Sequence, residues 1–317
     1  MKYAFYIFGY GAMGAAMSHH LYLNGHSVVV YPSPYDNKDN IPSRLLSPID
    51  PNVENLPVLV VATSRSGVNW AIQMIKQDFD TKPLYCLILT KGLIPTDNNL
   101  FTVSQYMQQH INCQSYFAIS GPCIANEMLQ GEPTSVVLSG SHYENTMSLA
   151  SLISSGHYKI NTSTDIDGSQ WAAALKNIYS ILIMATSAHT FNTQENFNAA
   201  LFTAIHKELS QILECIGGSA LTAFGESGLG DIWVTCRKGR NGQFGHQWGG
   251  SSYTAGQIKK LFFPTTTVEG YQLASAIAKS WLNQTQFSQF KIITQTIHAM
   301  VNDHTFDTLY QSLQSKI

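Results

Sequence analysis

Short runs of apolar, often β-branched residues alternate with helical patterns over the first half of the chain. Several of these runs are apolar at every position, which is typical of strands that are covered on both faces of a sheet. Helical stretches such as residues 68–75 separate the runs. The alternation predicts a doubly wound, mostly parallel sheet. The predicted strands cover residues 3–8, 27–31, 58–62, 84–90, 116–119, 134–138 and 158–161.

The texture changes after residue 168, where long helical patterns replace the strand alternation. These patterns predict helices over residues 168–188, 196–215 and 267–280. We therefore expect an α/β domain over residues 1–164 and an all-helical domain over residues 165–317. The length of 317 residues fits two domains, because single hydrophobic cores commonly stop growing beyond ~250 residues.

The first predicted strand ends in a glycine-rich stretch, Gly-Tyr-Gly-Ala-Met-Gly at residues 9–14, with the spacing G-x-G-x-x-G. A helical pattern follows, then Gly25 at the expected helix C-cap position and the strand over residues 27–31. In such a Rossmann-type unit the glycines let the backbone approach a pyrophosphate, and the helix N-terminus supplies N–H groups. The motif predicts that NAD or NADP binds at Gly9, Gly11, Ala12, Met13 and Gly14.

The end of the second strand leaves the choice between NAD and NADP open. An acidic side chain at this point would hold the ribose 2′-hydroxyl of NAD, and a nearby Arg would accept the 2′-phosphate of NADP. The chain reads Tyr31-Pro32-Ser33-Pro34 here and offers neither.

Charge and composition exclude several classes of partner. The chain has 18 Lys and Arg against 20 Asp and Glu, a formal charge of -2, so no basic field points to nucleic acid or to an anionic membrane surface. The longest apolar stretch, residues 178–185, falls well short of the ~20 residues that span a bilayer. We expect a small-molecule substrate, no nucleic acid and no membrane insertion.

The cysteines and the N-terminus bear on the compartment. The five cysteines are odd in number and show no C-x-x-C spacing, which argues against a disulfide framework and against a zinc site. The chain begins with a strand-like run and has no basic region of the kind that opens a signal peptide. We expect a cytoplasmic protein without a metal.

Three charged side chains interrupt apolar or glycine-rich surroundings. Lys91 follows a buried strand and would meet an anionic substrate at the carboxyl edge of the sheet, unless it is an exposed loop lysine. Lys176 lies within an apolar helical pattern, so it is either solvated or held in a partly dry site, where burial disfavours the charged form and suits proton transfer. Arg240 lies between Gly239 and Asn241 and is suited to bidentate binding of phosphate or carboxylate.

The order of the short motifs along the chain resembles that of the NAD(P)-dependent glycerol-3-phosphate dehydrogenases. After G-x-G-x-x-G come T-K-G at residues 90–92, S-G-P-x-x-A-x-E at 120–127, A-L-K-N at 174–177, G-L-G-D-x-x-x-T-C at 228–236, G-R-N-x-x-F-G at 239–245 and V-E-G at 268–270. The resemblance runs from about residue 7 to residue 278. The ordered set is highly specific, although each motif alone is not.

The resemblance implies an oxidoreductase that interconverts dihydroxyacetone phosphate and sn-glycerol 3-phosphate by hydride transfer with NAD(P)(H) and feeds glycerophospholipid synthesis. By resemblance, Lys176 is the proton donor in the reducing direction and the base in the reverse direction. Lys91 polarises the carbonyl and binds the substrate. Asn177, Asp231 and Thr235 orient the substrate and the lysine.

The resemblance also assigns binding roles to residues outside the lysines. Arg240 and Asn241 would bind the substrate phosphate. The cofactor contacts beyond the glycine loop would come from Lys91, Ala125, Arg240 and Glu269. The resemblance further implies a homodimer.

The chain departs from the family pattern at two places. The family stretch G-D-N-x-x-A-A-L-I-T-R-G corresponds to residues 193–205, where Ala204 replaces the arginine, and Gln170 replaces a glutamate before Lys176. Two alternatives stay open, and these changes motivate the first of them. One is the same hydride chemistry on another small phosphorylated or 2-oxo acid substrate. The other is a non-catalytic dinucleotide-binding redox sensor, although a sensor has no need to retain a proton donor.

Overall fold

The computed structural model describes residues 2–47, 55–79, 85–96, 99–189 and 195–315. The chain divides into two compact units. The first comprises Met1–Lys91 and Thr102–Asp167, and the second comprises Gly92–Phe101 and Gly168–Ile317.

The strands lie almost entirely in the first unit. In chain order they are β1 (Lys2–Phe8), β2 (Ser27–Tyr31), β3 (Asn55–Val61), β4 (Tyr85–Ile88), β5 (Leu93–Pro95), β6 (Leu100–Thr102), β7 (Ser115–Ser120), β8 (Thr134–Gly140) and β9 (Tyr158–Ser163).

A seven-stranded sheet forms the centre of the first unit, with the order β2-β1-β3-β4-β7-β8-β9. Every neighbouring pair is parallel except β7 and β8, which are antiparallel. Each predicted strand coincides with one of these seven to within a few residues at its ends, although Leu84 lies outside the described residues. The predicted doubly wound, mostly parallel sheet is therefore confirmed.

The two short strands β5 and β6 form a separate two-stranded sheet that the sequence pattern did not predict. Each is only three residues long, which is too short for a strand pattern to stand out. The segment Gly92–Phe101 belongs to the second unit because Leu93 and Leu100 pack into its core and Ser280 Oγ donates to Thr96 O at 2.6 Å.

α-Helices account for most of the remaining regular structure, in both units. In chain order they are α1 (Ala12–Leu23), α2 (Val68–Phe79), α3 (Val103–Gln108), α4 (Ala125–Leu129), α5 (Tyr143–Ile153), α6 (Ile166–Ala188), α7 (Glu195–Cys215), α8 (Asp231–Lys238), α9 (Arg240–Gly249), α10 (Ala255–Phe262), α11 (Glu269–Leu282), α12 (Lys291–Val301) and α13 (Phe306–Gln314). The predicted helices coincide with α2, α6, α7 and α11, which confirms a helical second half.

Helix α6 is the central element of the second unit. Its residues from Gly168 to Leu182 are buried without interruption, as expected for a helix that is apolar around its whole circumference. Any polar side chain in this stretch must therefore find partners inside the protein. Within the described part of the chain, no helix has both the length and the apolar composition to cross a membrane.

Candidate active site

Lys176 lies in the middle of α6 with only 5% of its surface exposed. Its Nζ donates to Asp231 Oδ1 and, at 3.0 Å, to Thr235 Oγ1. Asp231 is the first residue of α8 and is 1% exposed. Thr235 follows one turn later, so both side chains lie on the same face of α8. The sequence left open whether Lys176 is solvated or held in a partly dry site, and in the structure it is buried.

The ion pair explains how a cation is accommodated in this core. An isolated charge in a dry interior is strongly disfavoured, whereas a paired and hydrogen-bonded charge is tolerated. Asp231 supplies the opposite charge and Thr235 supplies a second acceptor. The pairing thus holds a proton-carrying nitrogen at a fixed position in the helical unit.

A second polar contact, next to the lysine, joins three helices. Asn241 Nδ2 donates to Asn177 Oδ1 at 2.8 Å, and Asn241 Oδ1 accepts from the backbone N–H of Gly270 at 2.9 Å. The Asn241 amide therefore ties the first turns of α9 and α11 to the middle of α6. Asn177 and Asn241 are both buried.

Three charged residues singled out from sequence open helices of the second unit. Asp231, Arg240 and Glu269 are the first residues of α8, α9 and α11. Arg240 and Glu269 are exposed. The N-cap of α9 is Gly239, which offers no side-chain bond to the first turn. Because helix N-termini carry unpaired N–H groups and the positive end of the dipole, the start of α9 combines a guanidinium with an anion-favouring backbone.

Glycines of α9 and α11 lie against the backbone of α6. A Cβ added at Gly245 would lie 2.2 Å from Ile181 O, and one at Gly249 would lie 1.8 Å from Ala185 O. A Cβ at Gly270 would lie 2.3 Å from Asn177 O. The backbones of α9 and α11 therefore touch that of α6, which explains the glycines that close G-R-N-x-x-F-G and V-E-G.

We expect Gly245→Ala to destabilise the helical unit, because the added methyl meets a backbone carbonyl that cannot move freely. Forced overpacking of this kind typically costs ~1–3 kcal/mol. Urea unfolding would measure the loss. The matched control is Gly225→Ala, whose Cβ would meet nothing closer than 3.8 Å. Equal stability of the two variants would contradict the close-packing role of Gly245.

The glycine loop in the first unit has the geometry that a dinucleotide requires. Gly9 has a φ of 98°, and a Cβ at Gly14 would lie 2.1 Å from Gly9 O. A Cβ at Gly11, by contrast, would meet nothing within 4 Å, and Gly11 N-caps α1 without a side-chain bond. The first N–H groups of α1 are those of Ala12, Met13 and Gly14, and a helix N-terminus of this kind suits a pyrophosphate.

Lys91 lies just after β4, on the same carboxyl edge of the sheet as the glycine loop. The side chain is partly buried, and Nζ donates to Gly121 O at the long distance of 3.5 Å. Gly121 follows β7 directly. Ala125 opens the short helix α4 and is partly buried. The first unit thus places Lys91 on the edge where ligands of open α/β sheets bind.

Asp36, which lies five residues beyond the end of β2, was not expected from the sequence. Its Oδ2 accepts from the backbone N–H groups of Tyr10 and Ser33, at 2.8 and 2.7 Å. The sequence does show an acidic residue shortly after the second strand. The dinucleotide-binding motif, however, places the expected acidic residue at the end of the strand itself.

Other candidate chemistry finds no support in the described part of the chain. Burial raises the pKa of the Cys236 thiol to about 11, so this thiol stays protonated and unreactive. Among the described residues, no three His, Cys, Asp or Glu side chains are grouped as they are around a metal ion.

The positions that depart from the family pattern lie in the helical unit. Gln170 is buried in α6, and Ala204 packs against the core from α7. Residues 193 and 194 lie outside the described residues.

Comparison with known sequences covers both halves of the chain. The family described as NAD-dependent glycerol-3-phosphate dehydrogenase N-terminus matches residues 37–146, and its C-terminus counterpart matches residues 165–311. The NADP(+)-dependent glycerol-3-phosphate dehydrogenase of Archaeoglobus fulgidus is 30% identical over 292 residues, 84% of this chain and 87% of that protein. The glycerol-3-phosphate dehydrogenase [NAD(P)+] of Thermotoga sp. (strain RQ2) is 30% identical over 76% of each chain.

Solved structures share the fold along the whole chain. Glycerol-3-phosphate dehydrogenase from Coxiella burnetii superposes with a TM-score of 0.81 at 21% identity and covers 99% of both chains. The Plasmodium falciparum enzyme gives a TM-score of 0.85 at 15% identity, covering 100% of this chain and 96% of that one. The family matches over both halves and the relative at 30% identity establish that the chain belongs to the NAD(P)-dependent glycerol-3-phosphate dehydrogenase family.

Proposed function

We propose that this chain interconverts dihydroxyacetone phosphate and sn-glycerol 3-phosphate with NAD(P)(H), and that the product feeds glycerophospholipid synthesis. The observation that carries the proposal is the buried group of Lys176, Asp231 and Thr235 in a member of this family. A redox sensor would have no use for a proton-carrying nitrogen held at a fixed position. The retained group therefore favours an enzyme.

Lys176 acts on the oxygen of the substrate carbonyl. The nicotinamide cofactor, when bound, supplies a hydride to carbon 2 of the ketone, and the carbonyl electron pair moves onto oxygen. Lys176 then transfers a proton from Nζ to that oxygen, which becomes the hydroxyl of the product, and takes the proton back in the reverse direction. A positioned acid typically contributes ~10²–10⁴-fold to such a step.

The neighbours of Lys176 orient it and the substrate. Asp231 and Thr235 hold Nζ in place, and Asn177 orients the substrate from the next position on α6. We assign to Lys91 the polarisation of the carbonyl, since a preorganised cation stabilises the negative charge that develops on oxygen.

The substrate phosphate is recognised by the start of α9. Arg240 provides the guanidinium, and Asn241 lies beside it, fixed by its bonds to Asn177 and Gly270. Phosphate suits both the planar fork of an arginine and the N–H groups of a helix N-terminus.

The dinucleotide is bound mainly by the first unit. Its contacts come from Gly9, Gly11, Ala12, Met13, Gly14, Lys91, Ala125, Arg240 and Glu269. We propose that residues 1–164 bind the dinucleotide and residues 165–317 bind the substrate, apart from the segment Gly92–Phe101, which belongs to the second unit. We further propose a homodimer in the cytoplasm, and sedimentation of the purified protein tests the dimer.

Gly11→Val is expected to weaken cofactor binding strongly without loss of the fold. The extended backbone of Gly11 accepts a β-branched residue, and its Cβ meets no protein atom within 4 Å, so the side chain would fill only the space assigned to the pyrophosphate. We expect the Kd for NAD(P)H to rise tenfold or more, or ~1.4 kcal/mol, in calorimetric titration. The control is Gly156→Val, where the Cβ is equally unobstructed. Unchanged affinity in Gly11→Val would remove the cofactor from this loop.

The reaction itself is tested by a panel of 2-oxo compounds with NADH and NADPH, each followed by loss of absorbance. We expect dihydroxyacetone phosphate to give the highest kcat/KM. Faster reduction of another phosphorylated or 2-oxo acid substrate would favour the second enzymatic alternative. Cofactor binding without turnover of any compound would favour the redox sensor.

A further inference from the structure

Asp36 reaches back from beyond the second strand to the glycine loop. After β2 the chain passes through Pro32 and Pro34, and Asp36 N donates to Ser33 O at 3.0 Å, which closes a tight turn. The carboxylate then accepts from Ser33 N at 2.7 Å within the turn and from Tyr10 N at 2.8 Å across it. Tyr10 is the residue between the first two glycines of the motif.

These bonds place a carboxylate where the carboxyl ends of β1 and β2 meet. The two strands pair in parallel, with Phe8 opposite Tyr31, and Gly9 N donates to Tyr31 O at 2.9 Å. In dinucleotide-binding units this junction receives the adenosine ribose, whose 2′-hydroxyl is held by an acidic side chain. The residue closing β2 is not acidic here, but Asp36 brings a carboxylate to the same junction from further along the chain.

We propose that Asp36 is the ribose-binding acid of this chain and that it makes the enzyme select NAD over NADP. This proposal rests on the nicotinamide-dinucleotide dependence proposed above. Both backbone bonds end on Oδ2, so Oδ1 is not needed to hold the carboxylate in place. A ribose hydroxyl can donate to the carboxylate, whereas the 2′-phosphate of NADP cannot donate in its ionised form and is repelled by the like charge.

Arg44 is the cation that would argue for the opposite preference. Burial raises the pKa of the Tyr10 phenol, and the nearby charge of Arg44 lowers it by a smaller amount. The guanidinium, however, is exposed and stacks on the Tyr22 ring of α1, with Cζ 4.6 Å from the ring centroid. Asp36, in contrast, is bonded directly to the loop. Position therefore favours the carboxylate as the group that meets the ribose.

The test is a comparison of Kd values for NADH and NADPH, measured by calorimetry on protein without substrate. Wild-type protein is expected to bind NADH at least tenfold more tightly than NADPH, a difference of ~1.4 kcal/mol or more. Asp36→Asn keeps an oxygen acceptor for the loop but removes the charge, and should reduce this ratio tenfold or more. Asp39→Asn, three residues later and exposed, should leave the ratio unchanged.

Three results would overturn the proposal. Wild-type protein could prefer NADPH, or the ratio could stay the same in Asp36→Asn while that variant melts like wild type. Thirdly, Arg44→Gln could weaken NADPH alone by tenfold or more with no effect of Asp36→Asn, which would assign specificity to Arg44. Binding of neither dinucleotide would instead refute the proposed function together with this inference, so the two failures are distinguishable.

Discussion

Replacing Lys176 by methionine is expected to remove nearly all turnover while NAD(P)H affinity changes by no more than a few-fold. Methionine is close to lysine in size but cannot donate a proton. The alkoxide formed by hydride addition would then lack its acid, a loss typically of ~10²–10⁴-fold in kcat. Steady-state kinetics with dihydroxyacetone phosphate and a separate cofactor titration measure the two effects. Small added amines should restore part of the turnover.

The buried partner of Lys176 requires a second variant. Lys176→Met leaves the Asp231 carboxylate uncompensated in the interior, and breaking a buried pair on one side costs ~3–5 kcal/mol of stability. The double variant Lys176→Met, Asp231→Asn removes both charges and should fold more stably while remaining inactive. Lys260→Met, at an exposed position, is the matched control. Near-normal kcat in the folded single or double variant would make Lys176 a packing residue.

Arg240→Ala is expected to lower kcat/KM for dihydroxyacetone phosphate by ~10²-fold or more, because hydrogen bonds to charged groups contribute ~1.5–3 kcal/mol each and a guanidinium offers two to a phosphate. Turnover of unphosphorylated dihydroxyacetone, which has no phosphate for Arg240 to bind, should hardly change. The exposed position of Arg240 makes loss of stability a minor concern.

The matched control for Arg240 is Arg237→Ala, one helix earlier. Arg237 is also exposed, and its guanidinium lies over the Trp233 ring. This variant should retain activity on the phosphorylated substrate. Equal losses on dihydroxyacetone phosphate and on dihydroxyacetone in Arg240→Ala would move Arg240 from phosphate recognition to a structural role.

Hydrophobic patterning was sufficient to predict the sheet, because most of its strands are apolar runs, and β4 and β7 are buried at every residue. Among the described residues, the strands that were not predicted are β5 and β6, since three residues carry too little pattern to separate a strand from a loop. The membership of residues 92–101 in the second unit was equally invisible. It depends on which core Leu93 and Leu100 join, and their sequence neighbours do not encode this.

The candidate site was only partly accessible from sequence. Motif order identified Lys176, Asp231, Thr235 and Asn241, but the ion pair joins residues 55 positions apart, so the burial of the lysine with its partners emerged only from the fold. The close approach of α9 and α11 to α6 likewise gives a physical reason for glycines that sequence marked only as motif letters. Asp36 was not predicted because it lies five residues beyond the end of β2, whereas the acid is usually sought at the strand end itself. The turn through Pro32 and Pro34 brings its carboxylate back to the glycine loop.

The most direct test of the proposed reaction is isotope transfer from the cofactor. The wild-type enzyme is given dihydroxyacetone phosphate and a reduced nicotinamide cofactor that carries deuterium at carbon 4 of the ring, on either face in separate experiments. Hydride transfer predicts that one face yields sn-glycerol 3-phosphate with one deuterium on carbon 2, detected by mass spectrometry and NMR. Formation of no glycerol 3-phosphate, or of product without deuterium from both faces, would contradict the account.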